Sequence, residues 1–197
     1  MPDELPLSVE GLVAAEQAGR RFTYLCFWGH RPARDGSVGQ GCLSQWWPVR
    51  FGEDGHTFAS AEHYMMAHKA WLFGDEKCAG EILAAEHPGE AKKLGRTVRG
   101  FDQATWEASR FDIVVRGNAA KFGQHPELAG FLLGTAGRVL VEASPVDPVW
   151  GIGLAAGDEH ATAPARWKGL NLLGFALMAA RDLLGKDPGL GQEGKRR

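Results

Sequence analysis

The sequence predicts an α+β fold: one helix-rich domain with a small β-sheet. Apolar and β-branched runs typical of strands occur near residues 22–27, 47–58 and 138–142. From residue 60 onward the chain instead shows helical periodicity, punctuated by capping residues. The 197 residues are 44% hydrophobic and 23% charged, which suits one globular domain with a sizeable core rather than two domains.

The first elements follow from local signals in chain order. Residues 22–27 alternate and branch like a strand, and Asp54-Gly55 between two apolar runs is a strong hairpin signal. The N-terminal half is therefore predicted to contain a short helix within 7–19, a strand over 22–27, a loop from 29 to 43, and a hairpin with arms 47–51 and 56–58.

The helices that follow are predicted from their caps. Ser60, Asp75 and Asp102 are good N-cap residues, and Pro88 and Pro126 suit the first turn of a helix. They predict helices from 60, from 75 to 85, from 88 to 95, from 102 to about 122 and from 126, then a buried strand over 138–142 and a last helix carrying Leu170, Leu173, Leu177 and Leu184 that Gly185 stops.

These elements divide the chain into an N-terminal extension (1–21), the domain (22–185) and a flexible tail (186–197) that is Gly-rich and charged. The formal net charge of -2 and the pI near 6.4 predict no extended nucleic-acid footprint, although they allow a local basic pocket. The start of the chain resembles no secretory leader and no run is long enough for a membrane span, so cytoplasmic location is expected.

Several kinds of site are excluded by spacing. Cys26, Cys42 and Cys78 contain no CxxC pair, so they predict neither a disulfide framework nor a cysteine metal site. His63 and His68 are five residues apart, which does not match the HExxH zinc motif. No metal site is expected, and the three cysteines are expected to be reduced and mostly buried.

The segment 60–70, SAEHYMMAHKA, opens a helix with a carboxylate and places a lysine two turns later. Ser60 would cap this helix, so Glu62 lies in the first turn, where the helix dipole favours an ionised carboxylate. Lys69 follows on the same face, roughly 10 Å along the axis, so both could face one polar ligand. The alternative is an ordinary amphipathic helix with both charges in solvent.

Two further stretches, SPVDPVWGIG at 144–153 and WKGLNLLG at 167–174, complete a resemblance. Together with the FWGH, SQWWP and GRTVRGF segments they resemble the NADAR superfamily, in particular its YbiA-like N-glycosidases, from Phe27 to Arg181. The resemblance implies cleavage of an N-glycosidic bond to a phosphate-bearing ribose. Such a reaction passes through an oxocarbenium-like sugar, needs carboxylates and a positioned water, and requires no cofactor.

By this resemblance Glu62 is the first acidic residue and Asp147 is the second; the position of Glu62 at the helix start independently predicts that it is ionised. Asp147 also has a structural interpretation, as an Asx-turn residue before Pro148. Lys69 has two open roles: a phosphate-binding cation, or a Schiff-base nucleophile with a depressed pKa. We therefore take Glu62, Lys69 and Asp147 as the candidate catalytic residues.

The candidate substrate-binding residues are aromatic stackers, phosphate binders and polar loop residues. Arg96 and Arg99 are potential bidentate phosphate binders, or they are plain surface charges. The segment from Gly151 to Gly153 is a potential anion nest. Asn171 is a candidate helix cap or ligand contact. The full set is Phe27, Trp28, Gly29, His30, Ser44, Gln45, Trp46, Arg96, Arg99, Trp106, Trp150, Gly151, Ile152, Gly153 and Asn171.

Three functions remain open from the sequence. The first is an N-glycosidase acting on a riboflavin-pathway phosphoribosyl pyrimidine, the second a glycohydrolase that removes ADP-ribose from guanine in nucleic acid or nucleotide. The third is a non-catalytic sensor of NAD or ADP-ribose, against which the combination of Glu62, Lys69 and Asp147 speaks. Gln45-Trp46 stands where many YbiA-like members carry an asparagine after the serine, which is a difference at a candidate substrate-binding position.

Overall fold

The computed structural model describes residues 4–186, which fold into helices around two small sheets. The capping residues act as the sequence predicts: Ser60, Asp75 and Asp102 each accept a backbone N–H of the first turn that follows. The helices are α1 (Val9–Gln17), α2 (Ala61–Leu72), α3 (Glu76–Ala84), α4 (Pro88–Gly95), α5 (Gln103–Gly123), α6 (Pro126–Leu133) and α7 (Leu172–Lys186). The α+β, helix-rich fold class is confirmed.

The strands form two separate pairs. Strand β1 (Thr23–Phe27) pairs in parallel with β4 (Arg138–Glu142), with Phe27 opposite Glu142. Strands β2 (Phe51–Glu53) and β3 (His56–Phe58) form an antiparallel hairpin. Its turn residues, Asp54 and Gly55, both have positive φ (50° and 78°), as a tight two-residue hairpin turn requires. The first arm spans Phe51–Glu53, so the predicted arm over 47–51 begins and ends too early and shares only Phe51 with the strand.

The core lies where α2 meets its neighbours. Helix α2 packs against α3, α4 and α5, while α7 packs against α5 and β4. Buried aromatic and aliphatic side chains from these elements, such as Tyr64, Phe122 and Phe175, form one continuous cluster. This packing places the first turn of α2 and the C-terminal end of β4 on the same side of the core, which sets the position of the cavity described below.

The two ends of the domain depart from the sequence prediction in detail. Helix α7 starts at Leu172, so Leu170 lies outside it and is 44% exposed, and the helix continues through Gly185 to Lys186. The predicted flexible tail otherwise lies outside the described residues. Helix α1 packs on the domain through Leu12, and the Tyr24 hydroxyl donates to Glu16 of this helix.

The expectations of reduced cysteines and of no membrane-spanning segment can be compared with residues 4–186. Cys26, Cys42 and Cys78 are free thiols, two of them buried. Within residues 4–186, none of the helices has the length and apolar character needed to cross a membrane.

Candidate active site

A cavity of about 510 Å³ lies at the C-terminal ends of the two parallel strands. The segment after β1 and the loop after β4 form two of its walls, and the start of α2 and the end of α4 form the others. Polar groups that follow neighbouring parallel strands commonly meet in such a crevice. The lining residues are Trp28, Gly29, His30, Ser44, Gln45, Trp46, Glu62, Met65, Lys92, Arg96, Glu142, Ser144, Val146, Asp147, Trp150 and Leu173.

Glu62 lies in the first turn of α2 with a side chain that is only 2% exposed. Its backbone N–H donates to the Gln45 carbonyl at 2.9 Å, which fixes the helix start against the loop. Its Oε1 is buried and has no hydrogen-bond partner within residues 4–186. Burial raises the pKa of Glu62 to about 7; the Lys92 charge and the Trp46 indole oppose this rise, and the Asp147 charge adds to it.

The expectation of a permanently ionised Glu62 is therefore corrected. The dipole of α2 contributes at most ~2 kcal/mol in favour of the Glu62 anion. Desolvation acts in the opposite direction and is the larger effect here. A carboxyl group whose pKa lies near neutrality exchanges protons readily at physiological pH, which suits acid–base chemistry.

Glu142, at the end of β4, is a second carboxyl group of the cavity, partly buried and not predicted from the sequence. Burial, together with the charge of Asp147, raises its pKa to about 8, against the opposing effect of Lys92. Its Oε2 has no partner among the described residues. In the sequence Glu142 is only a single acidic residue at the end of an apolar strand. Its place in the cavity depends on the pairing of β4 with β1, which the sequence did not predict.

Asn171 holds the end of β4 in place. Its side-chain oxygen accepts the Glu142 N–H at 2.9 Å, and its side-chain nitrogen donates to the Leu140 carbonyl at 2.9 Å. The Asn171 amide thus makes two hydrogen bonds to the β4 backbone of the kind that a neighbouring strand would make. Asn171 is fully buried and does not line the cavity, and both of its side-chain hydrogen bonds go to β4 and not to the first turn of α7.

Asp147 makes the Asx turn considered for it from the sequence and also lies in the cavity wall. One carboxylate oxygen accepts the backbone N–H groups of Val149 and Trp150, at 3.0 and 2.9 Å, so it shapes the turn between two prolines. The same side chain lines the cavity. Glu62, Glu142 and Asp147 therefore converge on one cavity from three separate segments.

The cations of the cavity come from the end of α4. Lys92 and Arg96 are four residues apart, so they share one helix face, and both line the cavity. Arg96 was predicted, whereas Lys92 was not. The signal for Lys92 was its spacing from Arg96 in the helix that Pro88 starts.

Aromatic groups form the remaining walls. The rings of His30 and Trp46 lie 5.9 Å apart, and Trp46 meets His87 edge to face at 5.6 Å. Trp150 lines the cavity beside Asp147, and Trp28 is 64% exposed at its mouth. An exposed indole at the edge of a polar cavity is suited to stacking on a planar ring.

Other predicted residues lie away from this cavity. The Lys69 ammonium donates to the Gly95 carbonyl at 2.8 Å and lies over the rings of Phe101 and Trp106. Arg99 forms a bidentate pair with Asp75, the cap of α3. The cavity lining also excludes Phe27, Trp106, Asn171 and the segment Gly151, Ile152 and Gly153.

The segment 151–153 braces the Asp147 loop and does not line the cavity. The Ile152 N–H donates to the Glu142 carbonyl, and the Ile152 side chain is fully buried. A Cβ atom on Gly151 would lie 2.9 Å from the carbonyl oxygens of both Asp147 and Glu142. Gly151 therefore allows the loop to pack closely on the end of β4, which brings the two acidic residues together.

Comparisons with known proteins identify the family of this chain. The NADAR domain matches residues 26–185. The chain is 43% identical over 164 residues to N-glycosidase R617 of Acanthamoeba polyphaga mimivirus, covering 81% of this chain and 95% of that protein. It is 37% identical over 150 residues to the maize riboflavin biosynthesis protein PYRR, chloroplastic, covering 72% of this chain but only 22% of that protein.

The third relative is N-glycosidase YbiA of Escherichia coli, 36% identical over 138 residues, or 70% of this chain and 76% of that protein. The NMR structure of E. coli YbiA superposes with a TM-score of 0.62 and 27% identity, covering 93% and 95% of the two chains. These matches confirm the resemblance to the YbiA-like N-glycosidases, which are hydrolases of N-glycosyl bonds. The chain belongs to the NADAR domain family.

Proposed function

We propose that this chain hydrolyses the N-glycosidic bond of a phosphoribosylated base, of the riboflavin-pathway pyrimidine type. The observation that carries the proposal is the convergence of Glu62, Glu142 and Asp147 with two cations in one cavity. Cleavage of a C1–N bond places positive charge on the sugar and negative charge on the departing base. Carboxylates facing the sugar and a proton donor facing the base serve these two needs.

Each carboxyl group has a distinct part in the proposed reaction. As the C1–N bond breaks, its electron pair passes to the base nitrogen, and protonated Glu142 donates a proton to the base. The carboxylate of Asp147 stabilises the oxocarbenium-like sugar. A water molecule then attacks C1 and loses a proton to Glu62, giving free base and ribose phosphate. The raised pKa values of Glu62 and Glu142 match these proton transfers near neutral pH.

Lys92 and Arg96 are proposed to bind the ribose phosphate. Arg96 can bind phosphate oxygens in bidentate fashion, and Lys92 adds a point charge on the same face of the helix. Trp28, Trp46 and Trp150 offer stacking surfaces for the base. Lys69 and Arg99, each bound to other protein groups, have no direct part in this scheme.

The pyrimidine substrate is supported by the similarity to the maize protein named for riboflavin biosynthesis, although this chain corresponds to only part of it. A small phosphoribosyl substrate also fits a cavity of about 510 Å³. The reaction needs no cofactor, and the cytoplasm is the location we propose for it.

One observation favours the second candidate, removal of ADP-ribose from guanine. A larger cavity of about 880 Å³ shares Trp28, Gly29 and His30 with the first and is lined by Arg31 and Arg138. Together the two cavities offer space and positive charge for a diphosphate-linked ligand. A sensor without catalytic activity is less well supported, because binding alone does not need three carboxyl groups.

The test is a comparison of turnover on the riboflavin-pathway phosphoribosylamino-pyrimidine and on guanine-linked ADP-ribose, with free base and free sugar quantified. We expect release from the pyrimidine compound. Release from ADP-ribosyl guanine alone would establish the second function instead. Release from neither, with ADP-ribose still bound, would support the sensor.

A further inference from the structure

A buried asparagine on α5 determines which atom of Gln45 faces the cavity. Asn118 is fully buried, and its side-chain nitrogen donates to the Val114 carbonyl at 2.8 Å and to the Gln45 Oε1 at 3.0 Å. The Val114 carbonyl can only accept a hydrogen bond, so it orients the nitrogen of the Asn118 amide toward itself. That nitrogen in turn requires the oxygen of the Gln45 amide, and not its nitrogen.

This orientation leaves the Gln45 Nε2 as a free donor. Nε2 has no hydrogen-bond partner within residues 4–186. It is not one of the fully buried atoms of that range that lack a partner, so it remains accessible. Gln45 lines the cavity. Because its oxygen is held by Asn118, its N–H groups are the part of the amide available to a ligand.

The backbone around Gln45 is also held firmly. The buried Lys121 ammonium donates to the carbonyls of Cys42 and Ser44, at 2.6 and 2.9 Å. The carbonyl of Gln45 accepts the N–H of Glu62. The donor of Gln45 is therefore fixed relative to the start of α2, where the Glu62 carboxyl group lies.

We propose that Gln45 is a specificity-determining residue whose side-chain N–H donates to an acceptor on the substrate, and that Asn118 is a positioning residue that orients it. The acceptor is a carbonyl oxygen or ring nitrogen of the base, or an oxygen of the sugar. This inference rests on the proposed function. It predicts that a substrate without an acceptor at this position is bound less tightly.

The experiment measures kcat and KM on the phosphoribosylamino-pyrimidine for Gln45→Met, Asn118→Leu and the double variant. Loss of one hydrogen bond to an uncharged acceptor corresponds to a KM increase of about five- to tenfold, with kcat changed less. Because Asn118 acts through Gln45, Asn118→Leu should raise KM in the wild-type background and have no further effect in Gln45→Met. Gln124→Met is the matched control: Gln124 is the C-cap residue of the same helix and binds the Gly52 backbone, but does not line the cavity.

Thermal unfolding of each variant shows whether it is folded. Inhibition by ribose 5-phosphate locates the acceptor: weaker inhibition of Gln45→Met places it on the sugar, and unchanged inhibition places it on the base. An unchanged KM in folded Gln45→Met would overturn the proposal. So would an equal loss caused by Asn118→Leu in both backgrounds, which indicates a merely structural role. A wild-type protein without turnover on this substrate would instead overturn the proposed function, and the donor assignment with it.

Discussion

Replacing Glu62 by glutamine should make the protein more stable at high pH while removing its activity. The carboxyl group is buried beside Asp147, and one of its oxygens has no partner among the described residues. Folding therefore favours its protonated form. The favourable contribution of that form is complete below the unfolded pKa, and it is lost as the pH rises through the folded pKa of about 7.

The magnitude follows from the pKa values. A rise from the ordinary value of 4.5 to about 7 corresponds to about 3 kcal/mol, at ~1.4 kcal/mol for each pKa unit. Glutamine is neutral at every pH, so the free energy of unfolding of Glu62→Gln should increase relative to wild type by about this amount between pH 4.5 and pH 8.5. Any constant cost of burying the amide cancels in this comparison.

The assay is urea unfolding of both proteins at several pH values across this range. Glu90→Gln is the matched control, because Glu90 is exposed on α4. It controls for the removal of one negative charge at a position that does not line the cavity. A difference for Glu62→Gln that does not change between pH 4.5 and 8.5 would refute the assignment of a buried carboxyl group with a raised pKa.

Three other predictions concern the pH profile, the end of β4 and Lys69. The kcat/KM should rise as Glu62 loses its proton, near pH 7, and fall as Glu142 loses its own, near pH 8, so a profile without both limbs contradicts the proposed roles. Asn171→Gly removes two hydrogen bonds to β4 without backbone strain at its φ of 53°, and should lower the free energy of unfolding by about 2–4 kcal/mol; a change below about 0.5 kcal/mol in urea unfolding contradicts this. Borohydride added during turnover should leave no sugar adduct on Lys69, which is bound to Gly95; an adduct found there by peptide mass mapping would establish the Schiff-base role.

Much of the fold could be predicted because its signals are local. Ser60, Asp75 and Asp102 begin helices wherever they cap a first turn, and Asp54-Gly55 specifies a hairpin through the backbone conformations of two residues. The first hairpin arm was predicted too early in the chain because Trp47 and Val49 are apolar for a different reason. Both pack against the core from the segment that precedes β2.

The candidate site was harder to predict from the sequence because it depends on tertiary packing. Helical spacing predicted that Lys69 shares a face with Glu62. However, α4 packs beside α2, and its Gly95 carbonyl accepts the hydrogen bond of Lys69, which does not line the cavity. The same helix brings Lys92 to the cavity. Glu142 becomes significant only when β4 pairs with β1 and the Asp147 loop returns to its end.

The most direct test of the three-carboxylate site is the kcat/KM of Glu142→Gln at pH 7, on whichever of the two candidate substrates the wild type hydrolyses faster. Glutamine preserves the size of the side chain but cannot donate an acidic proton. We predict a loss of about 10²- to 10⁴-fold, as expected for removal of a general acid, with Glu90→Gln unchanged. Turnover by Glu142→Gln at the wild-type rate would contradict the assignment of this cavity as the active site.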